Sequence, residues 1–304
     1  MNKERLSVEV AGIRMATPVM GASGTFGFGM EYEDFIDLAD VGAVVSKGIT
    51  PKPRAGNGGV RIAETPSGML NSIGLENPGI EAFCRDILPE AAKLPTAFLV
   101  NISAGTAEEY GEMAQMLDVA GIDGIEVNIS CPNVKEGGIV FGTDPKQAAL
   151  VTEQVKKNTK KPVFVKLSPN VTDICRMAKA VEAAGADAVS LINTLTGMVI
   201  DVEKRKPLLG NITGGLSGPA VKPIALRMVY QVAHAVSIPV IGMGGIQTGE
   251  DVAAFMLAGA SAVEIGAENF VNPRAVVEAA ERLEAYLDRQ GIDTAKELTG
   301  AMEL

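Results

Sequence analysis

The segments AGIDGIEV (120–127), AGADAVSL (184–191) and AGASAVEI (258–265) share one pattern, and that pattern decides the fold. In each segment a glycine stands where a helix should end, and a polar residue follows two positions later. An apolar run rich in β-forming residues then begins. The segment DVGAVVSK (40–47) is a looser copy. Each copy therefore predicts the end of a helix followed by a buried strand.

Three further apolar runs begin after a proline instead of a glycine. Proline is tolerated at the first residue of a strand because that amide need not join the hydrogen-bonded ladder. In chain order the two kinds of strand alternate from the second to the eighth, and TPVMGAS (17–23) supplies a first strand. The proline-entered runs are LPTAFLVNIS (94–103), KPVFVKLS (161–168) and IPVIGMGG (238–245).

Helical patterns lie between these strands, for example at residues 107–120 and 174–184. Eight strand–helix units predict an α/β fold of the TIM (β/α)8 barrel type, here one domain over residues 1–304. A doubly wound open sheet is the alternative architecture, and the lack of a GxGxxG fingerprint after the first strand weakens it. The composition, with 47% hydrophobic and 21% charged residues, is typical of a globular protein with a large core.

Charge and hydropathy exclude several kinds of partner. The formal net charge of −10 argues against nucleic acid and anionic membranes, because both attract cationic surfaces. No apolar run reaches the length needed to span a membrane. The start, MNKERLSVEV, resembles no targeting peptide, so we expect a cytoplasmic protein.

Cysteine and histidine usage narrows the chemistry. The three cysteines, Cys84, Cys131 and Cys175, form no CxxC pair, so we expect no disulfide, metal site or iron–sulfur cluster in this chain. The single histidine, His234, lies in a helical pattern and is interpreted as a packed or surface residue. The usual general base of enzymes is therefore missing.

Long connections leave the second, fourth and sixth strands, roughly at residues 48–94, 130–145 and 195–220. Each begins at the carboxyl end of a strand, which is the face where barrel enzymes place their active sites. Long connections in a compact domain are usually functional or disordered. These three therefore predict one site built from several loops.

Glycines and polar residues end several of the predicted strands. GMGGIQTG (242–249) and EIGAENF (264–270) end the last two strands, where barrels often bind a phosphate through backbone amides. Lys47 and Lys166 stand at the ends of apolar runs, where a lysine is rare unless functional or paired. The matched amides Asn101, Asn128 and Asn193 can both donate and accept, as a planar polar ligand requires.

Cys131 is singled out by its position after the fourth strand, beside Asn128 and before a glycine-bearing loop. A thiol, with an ordinary pKa of about 8.5, can act as a base where its surroundings assist it. Zinc or disulfide roles lack partners, and a covalent nucleophile lacks its histidine. We therefore hypothesise a catalytic role for Cys131. Cys84 and Cys175 lie in helical patterns and are interpreted as small core residues.

Taken together, these motifs resemble those of the dihydroorotate dehydrogenases across essentially the whole chain. Cysteine rather than serine in the NISCPN motif resembles the soluble class of that family, and the NVKEGG continuation resembles its NAD-linked branch, class IB. The matching stretches are ASGTFG (22–27), SKGIT (46–50), NSIGLENPG (71–79), VNISCPNVKEGG (127–138), VKLSPN (165–170), INT (192–194), GGLSGPAVKP (214–223) and GMGGI (242–246).

The resemblance implies a flavin barrel that oxidises (S)-dihydroorotate to orotate in de novo pyrimidine (UMP) biosynthesis. Cys131 would remove a proton from carbon 5, and a hydride would pass from carbon 6 to nitrogen 5 of FMN. Electrons would then reach NAD through a second subunit carrying FAD and a [2Fe–2S] cluster. Two copies of each subunit would form a heterotetramer around a homodimer of this chain.

The resemblance also implies roles for individual residues. Many relatives have threonine where this chain has Ala267, so a hydroxyl contact to the phosphate is expected to be lost or replaced. The substrate positions are Lys47, Asn71, Ser72, Ile73, Gly74, Leu75, Asn128, Asn193 and Thr194. The FMN positions are Ser23, Lys47, Gly48, Asn101, Asn128, Lys166, Ile192, Gly218, Gly244, Gly245, Gly266 and Ala267. No metal ligand is implied.

Four alternative functions stay open from sequence. A barrel like that of dihydropyrimidine dehydrogenase would act on uracil or thymine, and a class IA enzyme would pass electrons to fumarate. A flavin-free phosphate-binding barrel would be an isomerase or lyase. A non-catalytic barrel would bind pyrimidines for regulation.

Overall fold

The structure, a computed structural model, describes residues 1–130 and 138–303. Eight parallel strands close into a barrel in the order of the sequence, each paired with the next and the last paired with the first. The predicted TIM barrel is thus confirmed and the open doubly wound sheet is wrong. The strands are β1 (Val19–Gly21), β2 (Ala43–Val45), β3 (Ala97–Ile102), β4 (Gly124–Asn128), β5 (Val163–Lys166), β6 (Ala188–Leu191), β7 (Val240–Met243) and β8 (Ala262–Ile265).

Helices cover the outside of this barrel. The long ones are α1 (Ala107–Met116), α2 (Pro145–Asn158), α3 (Ile174–Ala183), α4 (Lys222–Ala233), α5 (Gly249–Leu257) and α6 (Ala275–Gln290). Short α-helical segments are Lys3–Leu6, Ile80–Ala82, Leu88–Ala91 and Gly138–Thr143, and Phe83–Ile87 is a π-helix. The 3-10 helices are Met30–Tyr32, Leu38–Asp40, Pro219–Val221, Ala267–Phe270 and Ala295–Leu298.

The glycine-entered strands begin as the repeated pattern predicts. Gly121, Gly185 and Gly259 have φ of 84°, 96° and 114°, a left-handed region that only glycine enters at little cost. The polar residue two positions later then bonds the neighbouring strand. Asp123 accepts from an amide at the start of β3 at 2.8 Å, and Asp187 accepts from an amide at the start of β5 at 2.7 Å.

The first connection differs from the predicted strand–helix unit. Residues 22–42 contain two 3-10 turns, Met30–Tyr32 and Leu38–Asp40, in place of an α-helix. Gly24, Gly27 and Gly29 all have positive φ in this segment, which is incompatible with a continuous right-handed helix. The carboxyl-terminal helix α6 packs on β1 instead.

An antiparallel hairpin closes the amino-terminal end of the barrel. Its strands, Val8–Val10 and Ile13–Met15, place their apolar side chains against the lower interior of the barrel. That interior layer is apolar, so the closed end offers no site for charged chemistry. The barrel residues that it contains are Met20, Ala43, Val45, Leu99, Phe164, Ala188, Ile241 and Ala262.

Two of the long connections predicted as loops contain a shared sheet. Strands Ile62–Thr65 and Gly68–Asn71, which follow β2, pair antiparallel with Gly214–Ser217, which follows β6. Leu195–Gly197 completes this four-stranded sheet, and Ile200–Asp201 pairs with Lys206–Pro207 in a separate hairpin. The sheet ties the two connections together over the carboxyl end of the barrel. Part of the remaining long connection, residues 131–137, lies outside the described residues.

No helix in the described part of the chain is both long and apolar enough to cross a bilayer. The interpretation of residues 1–304 as one domain stays a prediction.

Phe164→Ala tests the apolar layer of the barrel. The Phe164 side chain is fully buried, so we expect a loss of about 3–5 kcal/mol in the free energy of unfolding, measured by urea denaturation. Phe35, which is 50% exposed, is the matched control, and Phe35→Ala should cost less than about 1 kcal/mol. Equal losses for the two variants would contradict the assigned layer.

Candidate active site

A polar layer lies directly above the apolar layer inside the barrel. Side chains two positions apart on a strand point to the same face, so each polar residue follows an interior apolar or glycine position by two. The layer therefore faces the interior near the carboxyl ends of the strands. Its members are Asn101 on β3, Glu126 on β4, Lys166 on β5, Ser190 on β6 and Glu264 on β8.

Lys166 lies between two carboxyl groups. Its Nζ is 3.3 Å from Glu126 Oε2 and 3.5 Å from Glu264 Oε2, and the three side chains are at most 6% exposed. Asn101 Nδ2 donates to Glu126 Oε2 at 2.5 Å, and Ser190 Oγ donates to Glu126 Oε1 at 2.7 Å. Both oxygens of Glu126 thus have donors, whereas Glu264 Oε2 accepts no hydrogen bond from the described residues.

The three charged groups shift one another's proton affinity. Burial, together with the negative charge of Glu126, raises the pKa of Glu264 to about 8, although Lys166 offsets part of the rise. Burial lowers the pKa of Lys166, but the charges of Glu126 and Glu264 outweigh burial, so that pKa lies above its ordinary value. At neutral pH Lys166 is therefore an ammonium and Glu264 holds a proton.

Asn128 and Asn193, both predicted site residues, are joined through Ser130. The Ser130 hydroxyl donates to Asn128 Oδ1 at 2.9 Å and accepts from Asn193 Nδ2 at 2.6 Å. Asn193 Oδ1 accepts from the Thr194 amide at 2.8 Å, which fixes the orientation of the Asn193 side chain. The amides at the ends of β4 and β6 therefore meet at one point.

The segment 71–75 is held by two asparagines outside it. Asn57 Nδ2 donates to both the carbonyl and the hydroxyl of Ser72 at 3.1 Å. Asn77 Nδ2 donates to the Leu75 carbonyl at 2.6 Å. Gly74 and Leu75 have φ of 80° and 56°, so the segment follows a left-handed path that these bonds stabilise.

The segment 71–75 reaches the barrel interior at Leu75. A Cβ on Gly48 would lie 2.9 Å from Asn101 Oδ1 and 3.3 Å from Leu75 Cδ2, so these three residues adjoin. Asn101 Oδ1 is buried and has no hydrogen-bond partner among the described residues. Lys47, two residues beyond β2, is half-buried and close enough for its charge to help Arg61 lower the pKa of Glu76.

The same sheet brings Asn71 and Thr194 together. Asn71 pairs with Gly215, and a side chain on Gly215 would overlap the hydroxyl of Thr194. The predicted substrate positions Asn71, after β2, and Thr194, after β6, are thus neighbours. They can approach this closely because Gly215, between them, has no side chain.

The predicted phosphate glycines also come together. A Cβ on Gly245 would lie 2.8 Å from the Gly218 carbonyl, and one on Gly244 would lie 3.4 Å from Ile192 Cγ1. Gly218, Gly244 and Gly245 have φ of 99°, 125° and 74°, so glycine is required by conformation as well as by space. This glycine cluster lies at the carboxyl ends of β6 and β7.

Ser23 and Ala267 follow β1 and β8, which are adjacent in the barrel. Ala267 begins the 3-10 helix Ala267–Phe270 and carries no hydroxyl. A Cβ on Gly266 would lie 3.9 Å from Thr25 Cγ2, so a different hydroxyl residue stands at this corner. Thr25 therefore lies close to Ala267, the position at which many relatives have a threonine hydroxyl.

Cys131, the predicted base, lies outside the described residues. Cys84 and Cys175 are half-buried in helical segments and pack against the core, and burial raises the pKa of both thiols. His234 follows α4, is exposed, and has its Nδ1 2.8 Å from the Tyr230 carbonyl oxygen. The predictions for these two cysteines and for the histidine agree with these positions.

Four residues of the site were missed from sequence. Glu126 and Glu264 each interrupt an apolar strand pattern, and a carboxylate there signals a buried, paired charge. Ser190 carries a weaker version of the same signal. Ser130, which joins the two asparagines, precedes Cys131 and has no distinguishing pattern of its own.

The fold and this arrangement define a class: a (β/α)8-barrel enzyme with a charged, hydrogen-bonded site over the carboxyl ends of its strands. The family model described as "Dihydroorotate dehydrogenase" matches residues 5–287. The chain belongs to this family of flavin-dependent oxidoreductases.

Similar proteins match over the whole chain. A protein of Geobacter sp. (strain M21) named "Dihydroorotate dehydrogenase B (NAD(+)), catalytic subunit" is 58% identical over 305 residues, which is 100% of both chains. A protein of the same name from Geobacter sulfurreducens is 57% identical, also over 100% of both chains. One from Alkaliphilus oremlandii is 55% identical over 99% of this chain and 100% of its own.

Lys166→Met tests the buried charge cluster. Removing the ammonium leaves two carboxyl groups in a dry interior, so we expect a loss of about 3–5 kcal/mol in the free energy of unfolding at pH 8. The loss should be smaller at pH 5, because the carboxyls then take up protons. The control is Lys156→Met, which removes a half-exposed ion pair with Asp187 and should cost about 0–1 kcal/mol. A loss independent of pH would contradict this account.

Proposed function

We propose that this chain is the catalytic subunit of an NAD-linked dihydroorotate dehydrogenase, which oxidises (S)-dihydroorotate to orotate in pyrimidine biosynthesis. The observation that carries the proposal is full-length identity of 58% with a protein of that name. The meeting of Asn128 and Asn193 at the top of the barrel supports it, since a pyrimidine offers both donors and acceptors to such amides.

The residues present fit FMN. The buried Asn101 Oδ1 has no hydrogen-bond donor among the described residues. Lys166 supplies a cation below the site. The glycine cluster leaves space for backbone amides to approach a phosphate. When bound, the flavin supplies a two-electron acceptor. The residues proposed to hold it are Ser23, Lys47, Gly48, Asn101, Asn128, Lys166, Ile192, Gly218, Gly244, Gly245, Gly266 and Ala267.

The proposed substrate contacts divide by chemistry. The Lys47 ammonium pairs with the carboxylate of dihydroorotate, and the asparagine amides bind the ring. The segment 71–75, held by Asn57 and Asn77, closes one side of the site. The full set is Lys47, Asn71, Ser72, Ile73, Gly74, Leu75, Asn128, Asn193 and Thr194.

Cys131 is the proposed base. Its thiolate takes the proton from carbon 5 while the hydride leaves carbon 6, so the substrate loses two electrons and two hydrogens. Ser130, its chain neighbour, is fixed by hydrogen bonds to Asn128 and Asn193. The proposed base therefore directly follows in sequence a residue that is bonded to both proposed ring-binding amides.

The proposal includes a partner subunit carrying FAD and a [2Fe–2S] cluster, in a two-plus-two assembly around a homodimer of this chain in the cytoplasm. The words "catalytic subunit" in the names of the relatives support a second subunit. The lack of a dinucleotide fingerprint in this sequence agrees with NAD binding elsewhere. The alternative is a class IA enzyme, which passes electrons to fumarate. Co-purification of such a partner subunit would count against that alternative.

Cys131→Ala tests the base. We expect the variant to retain its yellow flavin and to lose turnover of dihydroorotate by at least about 100-fold. Cys84→Ala and Cys175→Ala are matched controls, because both thiols are half-buried in helical segments, and their turnover should stay near that of the parent. Full activity of the Cys131 variant would remove the thiol from this role.

Lys47→Met tests the substrate class. Loss of the ammonium should raise KM for dihydroorotate about 10- to 100-fold at saturating FMN, since a charged hydrogen bond is lost. Lys52→Met, at an exposed position nearby, should leave KM unchanged. Turnover of dihydrouracil in preference to dihydroorotate would favour the dihydropyrimidine dehydrogenase-like alternative instead.

A further inference from the structure

We propose that Glu264 is a positioning residue of the flavin site, which shares one proton with Glu126 and so sets the charge balance around Lys166. The inference rests on the proposed function, because it assumes a flavin above Lys166. It concerns a group that the proposed oxidation of dihydroorotate does not itself use.

The geometry around Lys166 requires a shared proton. Two carboxyl groups, each 1% exposed, converge on one ammonium within 3.5 Å. If both carboxyls were ionised, the cluster would carry one uncompensated negative charge in a dry interior, which is costly. One proton on the pair makes the cluster neutral.

The hydrogen bonds assign the proton to Glu264. Glu126 accepts from Asn101 and Ser190, which suits an ionised carboxylate. Glu264 Oε2 has the Lys166 ammonium at 3.5 Å and no closer donor among the described residues, so an ionised oxygen there would be less well compensated than those of Glu126. As a protonated carboxyl, Glu264 becomes a donor to the nearby Glu126 carboxylate.

No other described charge disturbs this balance. The charged groups that act on Glu264 are Glu126 and Lys166, both across the barrel interior. On the neighbouring strands, Met243 of β7 and Met20 of β1 pair with Glu264 and are uncharged. The carboxyl of Glu264, with a pKa near 8, therefore titrates against this cluster alone.

The shared proton couples flavin reduction to pH. A flavin that takes up a hydride gains two electrons and one proton, and so one negative charge. With a flavin held above Lys166 as proposed, that charge would raise the affinity of the carboxyl pair for its proton. Above pH 8 the pair is ionised before reduction, so reduction draws in a second proton from solvent. Below pH 8 the pair already holds its proton, and one proton per flavin suffices.

The test compares the midpoint potential of the flavin-loaded protein with that of Glu264→Gln between pH 6 and pH 10. The parent should show a slope against pH that steepens above pH 8, by up to about twofold as the proton count per two electrons rises from one to two. Glu264→Gln keeps the shape of the side chain but cannot ionise, so its slope should stay constant. Glu281→Gln, an exposed position on α6, is the control and should follow the parent.

A flavin-free measurement adds a second readout. The pKa of Glu264 is raised in the folded protein, so its stabilising effect is complete below its ordinary value of 4.5 and is lost as pH rises through about 8. The melting temperatures of the parent and of Glu264→Gln should therefore diverge from pH 5 to pH 8.5. Over this pH range the melting temperature of the parent should fall by at least about 5 °C relative to that of Glu264→Gln.

The outcomes are distinct. Parallel potential–pH lines for the parent and Glu264→Gln, with flavin bound, would overturn this inference and leave the proposed function intact. A protein that binds no flavin, or whose flavin dihydroorotate does not reduce, would overturn both. If Glu264→Gln fails to fold, Glu126→Gln replaces it. That variant removes the repelling charge, so the break near pH 8 should vanish, and a retained break would count against the shared proton.

Discussion

The ammonium of Lys166 lies between the carboxyl groups of Glu126 and Glu264, inside a barrel whose lower half is apolar. This arrangement constrains the rest of the site. Because charges are stable in such an interior only when compensated, the three residues must be arranged together, and the strands that carry them must keep their register. The amino-terminal hairpin closes the other end, so polar chemistry is restricted to the carboxyl ends of the strands.

Around this charged centre the site is assembled from connections that are distant in sequence. The sheet that joins Gly68–Asn71 to Gly214–Ser217 fixes the segment 71–75 against the residues that follow β6. Ser130 joins the ends of β4 and β6, because its hydroxyl is hydrogen-bonded to both Asn128 and Asn193. A flavin site of this kind needs rigid supports, because hydride transfer depends on close and well-oriented approach of the reacting atoms.

Much of the fold could be predicted from local patterns. The glycine-entered and proline-entered strands lie where the sequence indicates, because a left-handed glycine and a strand-initial proline are set by backbone geometry. The first connection was predicted wrongly as a strand–helix unit, since its three left-handed glycines act against a helix. The sheet at the top was not predicted, because pairing of residues 68–71 with 214–217 is a long-range choice. The Lys166 cluster was missed for the same reason: each strand shows one charge, and only closure of the barrel brings them together.

The measurement that tests the central claim most directly is anaerobic mixing of the purified protein with dihydroorotate while flavin absorbance is followed. A yellow protein that bleaches with dihydroorotate, and keeps its colour with dihydrouracil, is the expected result. A flavin that bleaches only with dihydrouracil would retain the flavin barrel and contradict the substrate. A protein that stays colourless after FMN is added would contradict the flavin site itself.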